Sequence, residues 1–477
     1  MEYEAIIGME VHAQLLTRSK MFCGCAADYA AAPPNTRVCP VCLGMPGTLP
    51  VINRRAVEFV VMSGLALHCD IAAHSRFARK NYHYPDLPKG YQISQYELPL
   101  CSNGYLEIEV DGRVRRIGIE RVHLEEDTAK LIHTGECSLI DMNRAGVPLM
   151  EIVSAPDLRT GEEARQYLTQ LRAILRYLGV SSGNMEEGSM RCEVNISLRP
   201  AGTDLRGTKV EIKNLNSFRS VKQAIEYEIQ RQSRLLDSGE RIAQVTMGWD
   251  EVNGRTVLQR VKESADDYRY FPEPDLPPLE LGREWVEQVR ASLPELPEAR
   301  KERFARDYGL SAYDAGVLTA DRDVADFFEA AVCLGADPKA TANWITGEVF
   351  RLMNARGLEM AQLPIRPAHL CELMGLIQEG IITTTIAKDV LGIMADTGDS
   401  PRDIVRRRGL AQVRDVSALE AVARQVIADN ADAVAQYRAG KEQVLKFLVG
   451  QMMKATKGQA NPTLAAEILR ALLAGEP

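Results

Sequence analysis

The sequence predicts an α+β chain: strands and helices mixed over about the first 290 residues, then helices alone. Three observations carry this. Alternating apolar and polar residues, the pattern of a half-buried strand, recur before about residue 290 and fade after about 298. Helical periodicity intervenes between those strands, and Ala/Leu/Glu/Arg segments dominate afterwards. Two proline-rich stretches, Tyr270 to Pro278 and Leu293 to Pro297, punctuate the change.

Alternation is clear in Leu106-Glu107-Ile108-Glu109-Val110 and in Cys192-Glu193-Val194-Asn195-Ile196-Ser197-Leu198. Leu168, Leu171, Leu175 and Leu178 fall at helical spacing, as do Val221, Ile225 and Ile229 in a helix that starts near Ser217. The stretch Tyr270–Pro278 is expected to be irregular, because its four prolines remove donors and fix φ. A break at Gly398-Asp399-Ser400-Pro401 suggests a boundary between a middle helical region and a small C-terminal one.

With 477 residues, 45% hydrophobic and 26% charged, the composition is that of a globular protein of two to four domains. No window approaches the run of about 18 apolar residues that a membrane span needs. The acidic start Met1-Glu2-Tyr3-Glu4 leads straight into a strand pattern, unlike a secretory leader, so a cytoplasmic location is expected. The net charge of −8 argues against non-specific coating of nucleic acid. From Pro401 to Pro477, however, 12 Lys and Arg face 8 Asp and Glu, a net of +4. That balance suits either a phosphate-contacting tail or a solvated helical surface.

Four of the ten cysteines cluster as Cys23-Gly24-Cys25 and Cys39-Pro40-Val41-Cys42, thirteen residues apart. Two close pairs joined by a turn-rich loop can set four thiolates around a Zn²⁺. With all four positions filled by protein, the site would be structural, stapling a segment with little core of its own. Unligated thiols or redox pairs are the alternative.

The chemistry-bearing pattern is a set of acids on strand faces. In Ala5 to Leu15, Ile7, Met9, Val11, Ala13 and Leu15 share one face, while Glu10, His12 and Gln14 share the other. A carboxylate and an imidazole thus point the same way, about 7 Å apart. Val122 and Leu124 likewise alternate with His123 and Glu125, and the acids Glu125, Glu126 and Asp127 are consecutive. Glu193 and Asn195 share a face with Arg191; Glu211 and Lys213 face together; Glu186 and Glu187 sit at a turn. Lining a sheet with acids is repulsive unless cations neutralise it. Mg²⁺ prefers such oxygen ligands and bridges them to nucleotide phosphates. The pattern therefore fits a Mg·ATP site, or a solvent-facing surface whose acids pair with Arg121, Arg191, Lys209 and Lys213. No phosphate-binding glycine loop of the common kinds is present. Two loops, Arg79 to Ile93 and Asp266 to Phe271, mix cations and aromatics in a way that suits a nucleotide or an RNA acceptor end, or a loop packed on its own rings.

Taken in order along nearly the whole chain, these segments resemble the GatB family, the transamidase subunits of bacterial GatCAB amidotransferases. The residues that carry the resemblance are Ile7-Gly8-Met9-Glu10-Val11-His12, Arg79-Lys80-Asn81-Tyr82, Tyr91-Gln92-Ile93-Ser94-Gln95-Tyr96, His123-Leu124-Glu125-Glu126-Asp127 and Asp141 to Leu149. Met185 to Cys192, Lys213 to Phe218, Asp266 to Asp275, Phe447 to Gln451 and Lys454 to Pro462 continue it.

The resemblance implies a glutamine-synthetase-like cradle over residues 1–293 with a zinc-knuckle insertion at 23–42. A helical domain over 294–405 and a YqeY-like tail over 406–477 would follow. It implies ATP-dependent transamidation of Glu-tRNA(Gln) or Asp-tRNA(Asn): the side-chain carboxylate is phosphorylated, then amidated by ammonia from a partner amidase. Carried over position by position, Glu10, His12, Glu125, Glu126 and Glu211 would hold Mg²⁺ at the cradle floor. Lys80, Asn81, Tyr82, Arg191 and Lys213 would face ATP or the aminoacyl end, and Lys441, Lys446, Lys454 and Lys457 the tRNA. The implied partners are the GatA amidase, the small GatC protein, tRNA(Gln) or tRNA(Asn) and a non-discriminating aminoacyl-tRNA synthetase. The family often has Asp where this chain has Glu193, and only some members carry the zinc cysteines. Two other classes fit parts of the pattern: a zinc-stabilised RNA-binding adaptor without activity, and a ligase acting on a free small acid.

Overall fold

A computed structural model describes residues 2–205, 207–261, 268–411, 416–456, 460 and 462–475. Asp266, Asp267 and the candidate tRNA contact Lys457 lie outside the described residues. The chain divides into two compact units, Met1–Pro297 and Glu298–Pro477.

The first unit is built on a nine-stranded sheet. Its strands are β1 (Tyr3–Gln14), β2 (Asp70–Ile71), β3 (Cys101–Val110), β4 (Arg113–Glu126), β5 (Pro148–Ser154), β6 (Met190–Pro200), β7 (Val210–Leu215), β8 (Val245–Asp250) and β9 (Arg255–Val261). They lie in the order β9-β8-β7-β6-β1-β5-β4-β3-β2, so the N-terminal strand sits at the centre. All pairs are antiparallel except β7–β8. One face of β1, carrying Ile7, Met9, Val11 and Ala13, is completely buried. Helices α1 (Arg54–Ala66), α2 (Gly161–Tyr177) and α3 (Phe218–Asp237) contribute Val60, Leu168, Leu171, Leu175, Val221 and Ile225 to the same core. Burying aliphatic chains at roughly 2 kcal/mol each holds this face of the sheet shut. Asn53, Thr160 and Ser217 cap the three helices by accepting from first-turn backbone N–H groups. The periodicity read around Leu168–Leu175 and after Ser217 thus marks real helices.

Mixed α and β structure is therefore present as expected, with one departure. Phe271–Pro272, inside the proline-rich stretch, forms a two-residue strand against Ala78–Arg79. Proline is tolerated there because the strand lies at an edge, where its missing N–H leaves no ladder bond unmade.

The second unit is helical throughout its described residues. Phe304, Phe328, Leu370, Leu391, Ile404 and Val405 belong to one apolar core; Leu419, Leu448, Met452 and Leu469 belong to another. Gly398 ends the helix Thr384–Thr397 with φ 73°, and Ser400 caps the helix Pro401–Arg408. Because Ile404 and Val405 return to the first of these cores, the Gly398–Pro401 break is a turn between helices that share a core.

Candidate functional site

Alternation on β1 leaves Ile6, Gly8, Glu10, His12 and Gln14 on the face opposite the core. Antiparallel register then lines up neighbours from other strands. His12 stands opposite Glu151 on β5 and Arg191 on β6, and Glu151 stands opposite His123 on β4. One step along, Glu10 stands opposite Glu193 on β6. Asn195, next on that face of β6, stands opposite Glu211 on β7.

These rows produce two clusters. In the first, ligand atoms of His12, Glu125 and Glu151 lie within 4.8 Å of one another. His12 Nε2 is 3.5 Å from Glu125 Oε1 and 3.7 Å from Glu151 Oε2. His123 Nε2 lies 3.1 Å from Glu151 Oε2, and its Nδ1 is buried without a hydrogen-bond partner. Ser94 Oγ donates to Glu125 at 3.2 Å. Burial and the neighbouring Glu151 push Glu125 above the usual carboxylate range. Burial opposes ionisation of Glu151 too, yet His123 and His12 hold its carboxyl low. Two carboxylates driven apart in this way share a site that wants more positive charge.

In the second cluster, ligand atoms of Glu10, Glu193 and Glu211 again lie within 4.8 Å of one another. Lys213 Nζ donates to Glu193 at 2.7 Å, Asn195 Nδ2 to Glu10 at 2.8 Å and Thr246 Oγ1 to Glu211 at 2.7 Å. Asn195 Oδ1 is buried and has no donor. An oxygen-rich donor set with an orphaned carbonyl oxygen fits a hard divalent cation. The first cluster, with one imidazole and two carboxylates, fits a divalent cation that accepts a nitrogen ligand beside its oxygens.

Four of the five predicted acid and imidazole ligands thus fall into clusters: His12 and Glu125 in one, Glu10 and Glu211 in the other. Glu126 joins neither. It follows Glu125 on the strand and so faces the other way, where Lys89 Nζ contacts its two oxygens at 2.5 and 2.7 Å and Ile93 N–H donates at 3.0 Å. Glu151, absent from the predicted set, completes the first cluster. Its only local signal is a single acid in the wholly buried strand Pro148–Ser154.

Lys80 lies beside the first cluster, its Nζ 4.9 Å from the Tyr268 ring and 5.8 Å from the Tyr82 ring. Burial opposes its charge, but Tyr270, Glu125 and Glu151 raise its pKa and keep it protonated. Asn81 Nδ2 donates to the Arg269 carbonyl at 2.9 Å, and Arg79 grips Glu273 at 2.7 and 2.8 Å. Tyr96 and Tyr270 stack at 4.2 Å, so these rings are packed on one another. Arg191 donates to Asp127 at 2.9 Å, and Gln14 donates to the other Asp127 oxygen at 2.7 Å. Arg191 therefore anchors the end of β4.

A groove of about 830 Å³ opens beside the second cluster. Gly8, Glu10, Ser154, Asn195, Ser197 and Arg199 are among the residues that line it. Its volume lies within the usual range for small-molecule sites. Arg159 and Arg199, which also line it, both pair with Glu4, at 2.9 and 2.8 Å.

Between β1 and α1, the sulfurs of Cys23, Cys25, Cys39 and Cys42 lie within 4.8 Å of one another. Cys42 is held down at about 4, chiefly by the Cys23 thiol and the Cys39 backbone with Lys20 nearby, while burial and Cys39 push Cys25 up to about 11. Four convergent sulfurs, all without disulfides, can bind a metal ion, and the set suits tetrahedral zinc.

In the second unit, Lys446 and Lys454 are exposed on the helix Val444–Ala455, and Lys441 is exposed just before it. No helix among the described residues is long and apolar enough to cross a membrane.

Residues 5–287 match the family described as the GatB/GatE catalytic domain, and residues 326–473 match the GatB domain of the YqeY type. The chain is 58% identical over 480 residues to a protein of Thermomicrobium roseum, covering 99% of each. It is 56% identical to one of Dehalococcoides mccartyi, covering 99% of each, and 56% identical to one of Roseiflexus castenholzii, covering 100% of each. All three carry the name of the B component of aspartyl/glutamyl-tRNA(Asn/Gln) amidotransferase.

Proposed function

The chain belongs to the GatB family of amidotransferase subunits, and from that premise we propose that its sheet face is a tRNA-dependent transamidation site. The reaction converts Glu-tRNA(Gln), Asp-tRNA(Asn) or both into the amide form. The observation that carries the assignment is the pair of clusters, His12–Glu125–Glu151 and Glu10–Glu193–Glu211, side by side on one face of the sheet.

The side-chain carboxylate of the mis-attached amino acid is a poor electrophile, because its leaving group would be oxide. One of its oxygens attacks the γ-phosphorus of ATP, ADP leaves, and an acyl phosphate results. Ammonia then attacks the carbonyl carbon and phosphate departs with the carboxylate oxygen. The two clusters would hold Mg²⁺, which supplies charge neutralisation for the phosphates during transfer. The groove beside Glu10 has the volume of a small-molecule site, and a nucleotide bound there would have its phosphates near the Glu10 cluster. Lys80 offers a protonated ammonium on the Glu125 side, and Tyr82 and Asn81 hold the aromatic wall around it. Lys213 neutralises Glu193 until a cation arrives.

The same reading takes residues 1–293 as a glutamine-synthetase-like cradle, 294–405 as a helical domain and 406–477 as a YqeY-like tail. It takes the cysteine cluster as structural zinc, and Lys441, Lys446 and Lys454 as phosphate contacts for tRNA. Ammonia comes from the GatA amidase, with the small GatC protein and a non-discriminating synthetase in the wider assembly, in the cytoplasm. A non-catalytic adaptor would have no use for two acid clusters on one sheet face, one of them beside a groove. The test is ADP release by the assembled complex: it should require ATP, Mg²⁺ and a mis-acylated tRNA together. Release that is indifferent to the aminoacyl group, or driven by free glutamate, would overturn the reading.

A further inference from the structure

The side chain of Lys20 is almost completely buried, with 1% exposure, in the segment that leads into Cys23. Its backbone is fixed on both sides: its N–H donates to the Cys25 carbonyl at 2.9 Å, and Met21 N–H donates to Gly146 O at 2.7 Å. Its Nζ reaches Met142 O at 3.4 Å and Cys42 Sγ at 3.6 Å. Among the described residues it makes no ion pair with a carboxylate. The acid that lines the same cavity, Glu126, already has both oxygens taken by Lys89. The cavity itself holds about 30 Å³, room for a water molecule but for no larger ligand. A buried ammonium with one carbonyl for company is strongly unfavourable. Its counter-charge has to sit on the sulfurs.

We propose that Lys20 is the charge-compensating residue of the four-cysteine site, a buried cation that makes a doubly negative zinc–tetrathiolate core tolerable beside the sheet. Four thiolates and one Zn²⁺ leave a net charge of −2. The ammonium lowers this to −1 and donates toward Cys42, so the metal and Lys20 each supply what the other lacks. Donors that hydrogen-bond to a metal's own ligands commonly change its affinity by about 10–100-fold. The inference rests on the zinc reading and adds a coupling: Lys20 faces the single Cys42 sulfur in the metal-free chain and a doubly negative core in the loaded one, so it favours the loaded state.

The experiment uses the full chain, zinc and a colorimetric chelator as competitor. Lys20→Met should weaken zinc binding by at least about tenfold, and Lys20→Arg should recover most of the affinity. Melting is then measured with and without zinc. Lys20→Met should lower the melting temperature of the loaded chain clearly more than that of the metal-free chain. A purely structural Lys20 would lower both alike, which would overturn the proposal, as would unchanged zinc affinity in Lys20→Met. A wild-type chain that takes up no zinc overturns the zinc reading itself; wild-type uptake with a silent Lys20→Met overturns only the role of Lys20.

Discussion

Glu125 and Glu126 are adjacent in sequence and opposed in space. Glu125 Oε1 lies 3.5 Å from His12 Nε2, whereas Glu126 is clamped by Lys89 at 2.5 and 2.7 Å on the other side of the strand. The candidate cation cluster and a packing ion pair thus fall to two neighbouring carboxylates on opposite sides of one strand.

Glu151→Gln removes an anionic ligand from the His12 cluster while keeping its volume. Amidation should fall by on the order of 100-fold or more, and Mn²⁺ bound at that cluster should weaken in a paramagnetic titration. Glu126→Gln leaves the half-buried Lys89 without its counter-charge, a loss of stability read as a lower denaturation midpoint. Mn²⁺ titration of the Glu126→Gln protein should match wild type. The reverse pattern would return Glu126 to the metal site.

The same contrast marks how far the sequence is legible. Period-two alternation identifies the shared face of Glu10 and His12, and the same rule separates Glu125 from Glu126; treating the acidic run as one unit blurs that distinction. Helix α2 and the start of α3 follow from leucine and valine spacing and a serine cap. Glu151 is hidden because β5 lies mid-sheet with every residue buried, so it shows no alternation. The meeting of Glu10 with Glu193 and Glu211 depends on the register of β1 against β6, strands far apart in the chain, and of β6 against β7, and no local pattern encodes it.

Glu193 converges with Glu10 and Glu211, and an aspartate in its place would keep the same charge. Glu193→Asp should therefore retain most of the activity, because Lys213 and the two remaining carboxylates keep the cluster's charge. Glu193→Lys should abolish it by adding a cation where one is to bind. ATP-dependent phosphate release by the assembled complex measures both. Equal activity in wild type and Glu193→Lys would remove the second cluster from the chemistry.

In the second unit, Glu329 sits between Arg303 at 2.6 Å, Arg300 at 2.5 Å and the Tyr308 hydroxyl at 3.0 Å. Arg303, with Arg300 and Tyr308, holds Glu329 down at about 2 from its ordinary 4.5. A carboxylate depressed by folding stabilises the fold above its unfolded pKa and loses that contribution as pH falls through the folded one. Stability from this group should be whole above about pH 4.5 and drain away toward pH 2. Glu329→Gln should melt lower at neutral pH and show a shallower acid limb between those values. An acid limb as steep as wild type would assign the loss to other carboxylates.

Cys39→Ser removes one sulfur from the four-cysteine cluster, whereas Cys137→Ser changes an exposed thiol outside it. Zinc content by elemental analysis should fall from one per chain toward none in the first and stay at one in the second. Because a structural metal contributes to folding directly, chelation should lower the melting temperature of wild type more than that of Cys39→Ser.

Lys446 and Lys454 lie eight positions apart on one helix and are both exposed. Eight residues make a little over two helical turns, so the two ammonium groups project from neighbouring parts of one surface, about 12 Å apart along the axis. A backbone-contacting role makes tRNA binding sensitive to salt through released counterions. Lys446→Gln combined with Lys454→Gln should weaken tRNA binding for every tRNA tested. It should also make the slope of log affinity against log salt shallower by about one per lost contact. ADP release at saturating tRNA should stay close to wild type, since neither lysine belongs to the sheet that carries the two acid clusters. An unchanged salt slope would assign the basic balance of this tail to ordinary solvation of a helical surface.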